Sequence, residues 1–289
     1  MSLKQSELIL NENGSVYHLN LLPENIAEDI IFVGDQERVA TVTDYFETIE
    51  FTTQKREFKT TTGRYKGKRL TVISTGIGPD NIDIVLNELD ALVNIDLPTR
   101  TIKTKLTQLN IVRIGTSGAL QKNIPVDSFL LSSYGLDLNG MLHAYKIEPI
   151  VHKAIEDAFI KHTNWNANKA RPILVKNSST LENKLKSKNT FIGITATAGG
   201  FYGPQGRVLR LALADESLNH KIDSFHFNNH VICNLEMETS AIYGLSKLLG
   251  HKACSMNAIL ANRATGTFSK NPKKIVQELI LYTLNKLAK

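Results

Sequence analysis

Apolar positions along the chain follow two alternating rhythms. Short, mostly apolar runs, which read as buried strands, occupy residues 30–33, 109–114, 129–134, 172–176, 191–196 and 252–260. Between them apolar residues recur every three or four positions, which predicts helices with one buried face. The clearest case opens after Thr75-Gly76-Ile77-Gly78-Pro79, where Ile82, Val85, Leu86, Leu89 and Leu92 share one side. The same spacing predicts helices over 36–46, 150–162, 236–249 and 273–288. Residues 56–65 and 69–74 flank Lys66-Gly67-Lys68, a hairpin signal. Residues 94–106 are polar and read as a loop inserted between a helix and the next strand. Strands alternating with helices predict a single-domain α/β fold, with a central mixed β-sheet flanked by helices. No repeat or low-complexity linker divides the chain. One domain over 16–289 is therefore expected, preceded by a polar, loosely held segment 1–15.

Composition narrows the function class. With 289 residues, 42% apolar and 21% charged, the chain can bury a large core, which excludes a disordered protein. No apolar run is long enough to span a bilayer. Met1-Ser2-Leu3-Lys4-Gln5 lacks the apolar centre of a signal peptide. Cys233 and Cys254 sit in apolar stretches without metal-ligand spacing and read as reduced core thiols. A cytoplasmic location is the expectation. The formal charge of +6 raises nucleic acid as a partner, but the lysines are thinly spread and no aromatic-basic interleaving accompanies them. A compact anion suits the motifs better.

Five constellations carry candidate chemistry. Gly34-Asp35-Gln36-Glu37-Arg38 stands where a strand becomes a helix; glycine lets backbone approach a ligand, and helix-start amides favour an anion that Arg38 can also reach. Arg113 lies in an apolar strand, where an unpaired guanidinium is costly. It precedes Gly115-Thr116-Ser117-Gly118, read as a small-residue turn; phosphate binding and a structural ion pair explain Arg113 equally well. Phe201-Tyr202-Gly203-Pro204-Gln205-Gly206-Arg207 offers a ring to stack on a base, an amide with both donor and acceptor, and a fork of donors. Glu236-Met237-Glu238 precedes a helix, where the carboxylates can either cap the helix or hold sugar hydroxyls. Arg263 ends a strand and by itself reads as a surface residue. Serine–histidine–acid, metal-ligand and Walker-type patterns are absent from the sequence.

Gly34-Asp35-x-x-Arg38, Arg56-Glu57-Phe58, Ser74-Thr75-Gly76-Ile77-Gly78, Arg113-Ile114-Gly115-Thr116-Ser117-Gly118-Ala119, Gln205-x-Arg207 and Glu236-Met237-Glu238 occur in this order. Together they resemble the nucleoside phosphorylase family that includes bacterial uridine phosphorylase, from about Val16 to the C-terminus. The resemblance implies a phosphate site at Gly34, Arg38, Arg113 and Thr116, with Arg56 lent by a neighbouring subunit. It implies sugar contacts from Glu236, Met237 and Glu238, with His18 reaching the 5′ end from that neighbour. It assigns base reading to Phe201, Gln205 and Arg207, with Arg263 behind them, and it makes Arg113, Gln205, Arg207 and Arg263 the catalytic candidates. It further implies dimers sharing active sites, commonly assembled into hexamers, with inorganic phosphate as co-substrate and no cofactor. In some members a monovalent cation binds, to which Glu57 and Ile77 would contribute.

The chain departs from the pattern at Gln36, where proline is usual, and at Pro79-Asp80-Asn81, where the family has a second glycine followed by proline-serine. The implied reaction is phosphorolysis of uridine, and of deoxyuridine if the 2′-deoxy sugar fits. A purine nucleoside phosphorylase is the nearest rival; those relatives carry aspartate where Asn262 stands, and asparagine cannot serve as a general acid. A hydrolytic nucleosidase and a non-catalytic nucleoside-binding protein on the same scaffold are the others.

Overall fold

The computed structural model describes residues 2–289. The elements run β1 (Asp29–Val33), α1 (Gln36–Thr43), β2 (Thr48–Lys55), β3 (Phe58–Tyr65), β4 (Lys68–Ser74), α2 (Pro79–Asn94), β5 (Ile95–Asp96), β6 (Thr101–Ile102), β7 (Asn110–Ala119), β8 (Phe129–Asp137), α3 (Lys153–Thr163), β9 (Ile173–Lys176), α4 (Ser179–Leu185), β10 (Thr190–Thr197), α5 (Leu218–Asp223), β11 (His226–Phe227), β12 (His230–Glu236), α6 (Thr239–Leu248), β13 (Lys252–Asn262), β14 (Thr267–Phe268) and α7 (Pro272–Leu287).

One sheet runs β11-β12-β10-β8-β13-β7-β1-β4-β3-β2, with β9 on β8 and β14 on β13. β12 also pairs with β7, through Asn234↔Ala119 and Leu235↔Gly118. That pairing closes β12, β10, β8, β13 and β7 into a ring, from which β1, β4, β3 and β2 extend as an open wing. The sheet is mixed, as the sequence predicts. β1 is parallel to β4 and β7, and β13 is parallel to β7 but antiparallel to β8. The carboxyl ends of β4, β1, β7 and β13 therefore lie side by side, the usual place for a ligand crevice in such sheets.

Helices cover the sheet with apolar faces. α2 and α6 pack on one side, burying Leu86, Leu89, Ile242 and Tyr243 with Phe32. α1 and α7 pack on another, burying Val39, Val42, Leu279, Ile280 and Leu284 with Met256. Cys233 and Cys254 are free and buried, and burial pushes both thiols up to about 12. Among the described residues no helix is long and apolar enough to cross a membrane.

Several expectations need correction. Residues 94–106 are not a featureless loop: β5 and β6 pair as a small hairpin with Leu97 buried. That hairpin holds the N-terminal segment, because the Leu3 amide donates to the Arg100 carbonyl at 2.8 Å and the Arg100 guanidinium donates to the Leu8 carbonyl. Leu8 is buried in the core, so the described part of the segment expected to be loose is tied down by two apolar side chains and backbone bonds. Gly115-Thr116-Ser117-Gly118 is strand rather than turn, paired with β13 throughout. The helix expected from residue 236 starts at Thr239, and Glu236 ends β12.

The wedge between β8 and α6 is tight. A methyl group on Gly135 would lie 2.7 Å from the Ser240 backbone. Gly135→Ala is expected to destabilise the fold by about 1–3 kcal/mol through overpacking, measured by thermal or denaturant unfolding; an unchanged midpoint would show that α6 is free to shift.

Candidate active site

The crevice at the strand ends is a cavity of about 700 Å³. At one end Gly34 follows β1, and Asp35 caps α1 by accepting the Arg38 amide at 2.7 Å. The same carboxylate pairs with the Arg38 guanidinium at 3.0 Å, which aims it at the cavity. Burial holds Arg38 below its ordinary pKa; Asp35 opposes that shift and the Arg113 charge adds to it. Arg38 and Arg113 thus feel each other across one space, and Thr116 of β7 lines it with them.

Arg113 is 8% exposed in the middle of β7. Its guanidinium folds over Gly115, where an added Cβ would lie 1.8 Å from Nη1. Nη2 donates to Glu238 at 2.6 Å and lies 3.3 Å from Glu236, while Nη1 donates to Asn257 at 3.0 Å. Burial alone would lower the Arg113 pKa, but the two carboxylates outweigh it and hold the group charged. Glu238 is pushed up by burial, with Arg113 pulling the other way.

The two glutamates accept hydrogen bonds from different parts of the fold. Glu236 accepts from the Glu238 and Thr239 amides and from the Thr197 hydroxyl at 2.7–3.0 Å, so it caps α6. Glu238 accepts from Arg113 and from the Gly78 amide at 2.9 Å. Both line the cavity, and Met237 lies between them on the same wall.

At the far end Gln205 is buried in the cavity wall. Arg207 donates to its Oε1 at 2.5 Å, and Arg263 donates to its backbone carbonyl at 2.8 Å. The Arg207 guanidinium stacks 3.9 Å from the Phe201 ring centroid. Burial lowers the pKa of Arg207 and Arg263, and the Arg207 charge lowers Arg263 further. Leu260 and Phe268 add apolar wall to the cavity, Leu260 beside Arg38 and Thr116. Sequence reading missed both, because neither belongs to a motif; a strand-end leucine and a lone loop phenylalanine carry no signal until β14 folds back on β13.

Two expected residues lie elsewhere. His18 bonds to Glu88 through Nδ1 at 2.6 Å, and Arg56 is exposed with its guanidinium 5.9 Å from the Tyr17 ring. Tyr17 also meets the His18 ring edge-on at 4.9 Å, so the pair shares one patch outside the cavity of its own chain. Glu57 and Ile77 do line the cavity, beside Asn81, whose amide donates to the Ile77 carbonyl at 3.4 Å. Asn262 does not line it. Its amide donates to the Gln121 and Ile124 carbonyls and its oxygen accepts the Thr265 amide. The contrast drawn at Asn262 against purine enzymes therefore concerns a loop tether in this chain rather than a group facing the cavity.

The Phosphorylase superfamily model matches residues 28–283. The chain belongs to that superfamily. A uridine phosphorylase from Thermococcus kodakarensis is 28% identical, covering 91% of this chain and 83% of the relative. One from Haemophilus influenzae is 27% identical, with 86% of each covered. A Trypanosoma brucei nucleoside phosphorylase, described as showing uridine phosphorylase activity, superposes with a TM-score of 0.86 at 27% identity and covers 96% of this chain and 99% of its own. DeoD-type purine nucleoside phosphorylases match more weakly, at 23% identity for Bacillus subtilis. The superfamily member described here is thus an enzyme of the nucleoside phosphorylase type, resembling uridine phosphorylases.

Gly115 offers a separable test of Arg113. A methyl group there meets only the guanidinium of Arg113, so the strand keeps its course while the guanidinium must move and its ion pairs loosen, at some cost in stability. Gly115→Ala is expected to keep a native far-UV spectrum and lose about a hundredfold in phosphorolysis, the usual consequence of a misplacement near 1 Å. Full activity would show that the observed position of Arg113 is not required.

Proposed function

We propose that the enzyme cleaves uridine by phosphorolysis, releasing uracil and ribose 1-phosphate, and accepts deoxyuridine as a secondary substrate. The observation that carries this reading is the sorting of charge along one cavity. Arg38, Arg113, Thr116 and the Gly34 backbone line one cavity with Gln205, Arg207 and Phe201 and with Glu236, Met237 and Glu238; Arg38 and Arg113 act on each other's charge, and Arg207 acts on that of Arg263, so the cations fall into two groups. Those two groups suit a phosphate and a base, with the sugar against the glutamates. Phosphate attacks C1′ from below the ring, the bond to the base breaks ahead of the attack, and positive charge develops on the sugar. The arginines hold the nucleophile, which contributes proximity and a negative counter-charge at C1′. Glu238 keeps lone pairs free for the vicinal hydroxyls, and Met237 covers the apolar face of the sugar. Gln205 has donor and acceptor to offer a uracil edge, and Arg207 stabilises the charge building on the leaving base. Phosphate is the nucleophile, so the scheme calls on no covalent enzyme intermediate and no cofactor.

Charge also argues for a shared site. Around the phosphate end Arg38 and Arg113 face Asp35, Glu236 and Glu238. Two cations against three carboxylates do not attract a dianion. Arg56, exposed beside His18 and Tyr17, is a cation free to serve a neighbouring cavity. We assign Arg56 and His18 to the site of a second subunit in a symmetric dimer, the building block of a hexamer.

Uracil release from uridine should require phosphate, and inosine should be a poor substrate under the same conditions. Phosphate-independent release would instead indicate a nucleosidase, and absence of release from any nucleoside would indicate a binding protein. Arg207→Ala is expected to lower turnover about a hundredfold or more, the cost of losing one well-aimed donor; near-native turnover refutes its role. Mixing inactive Arg56→Ala and Arg113→Ala proteins under subunit exchange should restore about a quarter of native activity, since half the dimers are mixed and each holds one intact site. No recovery after exchange would mean that Arg56 serves its own chain or none.

A further inference from the structure

A second polar cavity, of about 320 Å³, opens beside the C-terminal end of α6, away from the crevice described above. Lys176 at the end of β9, Lys247 in the last turn of α6 and Lys252 at the start of β13 converge on it. Among the described residues none of the three ammonium groups has a carboxylate partner or donates a hydrogen bond to a protein oxygen. Glu182 and Asp90, the carboxylates nearby in the bonding pattern, accept from the Asn177 amide at 2.8 Å and from the Asn94 amide at 2.6 Å. Burial and the Lys176 charge both hold Lys247 below the ordinary ammonium range, so like charges meet here without a counter-ion.

The floor of this cavity supplies a second, independent observation. Ser246 is 1% exposed and Asn177 6% exposed, and both line the cavity. Ser246 Oγ and Asn177 Oδ1 are buried without any hydrogen-bond partner. Buried polar atoms in folded proteins are ordinarily paired, and an exception calls for a missing partner. A hydroxyl side chain and an amide oxygen beneath a set of cations would receive a ligand that carries both an anionic head and hydroxyl groups. The volume lies at the lower end for small-molecule pockets.

We infer that this cavity binds a small phosphorylated, hydroxyl-bearing molecule of the sugar phosphate class, its phosphate on Lys176, Lys247 and Lys252 and its hydroxyls on Ser246 and Asn177. The site is separate from the phosphate end of the crevice and shares no lining residue with it. Lysine rather than arginine suits a tetrahedral head that is gripped as a point charge and released readily.

Equilibrium binding of labelled inorganic phosphate and of ribose 5-phosphate tests the assignment on native protein, on the double variant Lys176→Gln/Lys247→Gln and on Arg38→Ala. Native protein should bind two phosphates per chain. The lysine variant should keep one, with its melting temperature not lowered because neither ammonium group has a carboxylate partner to lose, and its affinity for ribose 5-phosphate should fall at least about tenfold on loss of the charge-assisted bonds. Arg38→Ala should also keep one phosphate and should bind ribose 5-phosphate as native protein does. A lysine variant with native stoichiometry and affinity overturns the inference, as does a native protein whose single phosphate is lost in Arg38→Ala. A single native phosphate that is lost in the lysine variant and kept in Arg38→Ala supports the lysine site and counts against the crevice reading instead.

Discussion

A guanidinium buried at the centre of a sheet is the constraint around which this structure is arranged. Removing a charge from water costs several kcal/mol unless partners replace the lost hydration. Arg113 meets that cost with Glu238 at 2.6 Å, Glu236 at 3.3 Å and Asn257 at 3.0 Å. The two glutamates come from the β12–α6 junction and the asparagine from β13, so the cluster fixes β7, that junction and β13 to one another. It also explains the local sequence. Residue 115 must lack a side chain because the guanidinium lies over it, and residue 236 must be able to cap α6 so that residue 238 is free to face the arginine.

The sequence made the interior strands legible and the edges obscure. β1, β7, β10 and β13 are largely buried, and a stretch richer in apolar than in charged residues announces each. β2 is an edge strand with five of its eight residues exposed, so its Thr-rich sequence carries no apolar pattern. β12 was concealed for another reason. Its apolar stretch runs directly into the capping glutamates, and the acidic residues that belong before a helix looked like its first turn. The glycines and hydroxyls of 115–118 looked like a turn because small residues usually mark one. Here they are small because β7 pairs on both sides, with β12 and β13, beneath a ligand cavity.

Residues of the site were legible where chemistry contradicts environment. Arginine in an apolar strand, or glutamine beside arginine in a glycine-rich loop, is costly without a purpose, and these side chains do converge on one cavity. Leu260 and Phe268 face the same cavity but contradict nothing, since an apolar residue at a strand end is ordinary. Asn262 misled in the opposite direction. Its neighbour Arg263 reaches the backbone carbonyl of Gln205 from behind the cavity wall, while the asparagine faces the 121–124 loop. Adjacency in sequence places residues at the same strand end without placing them on the same face.

The closed ring of strands gives the polar interior a reason. Arg113 of β7 bonds to Asn257 of β13, which bonds to Ser132 of β8 at 3.3 Å. Ser132 bonds to Thr195 of β10 at 2.5 Å, Thr195 donates to Asn234 of β12 at 2.7 Å, and Asn234 donates to Ser117 back on β7 at 2.8 Å. Every strand of the ring contributes a member, and the chain of bonds begins and ends at residues lining the crevice. The ring holds Nη1 of the arginine through Asn257 while the two glutamates hold Nη2, so the guanidinium is fixed at both nitrogens. A reaction in which the protein supplies position and charge rather than a nucleophile depends on where a few donors point. A hydrogen-bonded ring with each member satisfied holds them there more sharply than packing alone, because rotation of one side chain breaks bonds on both sides of it.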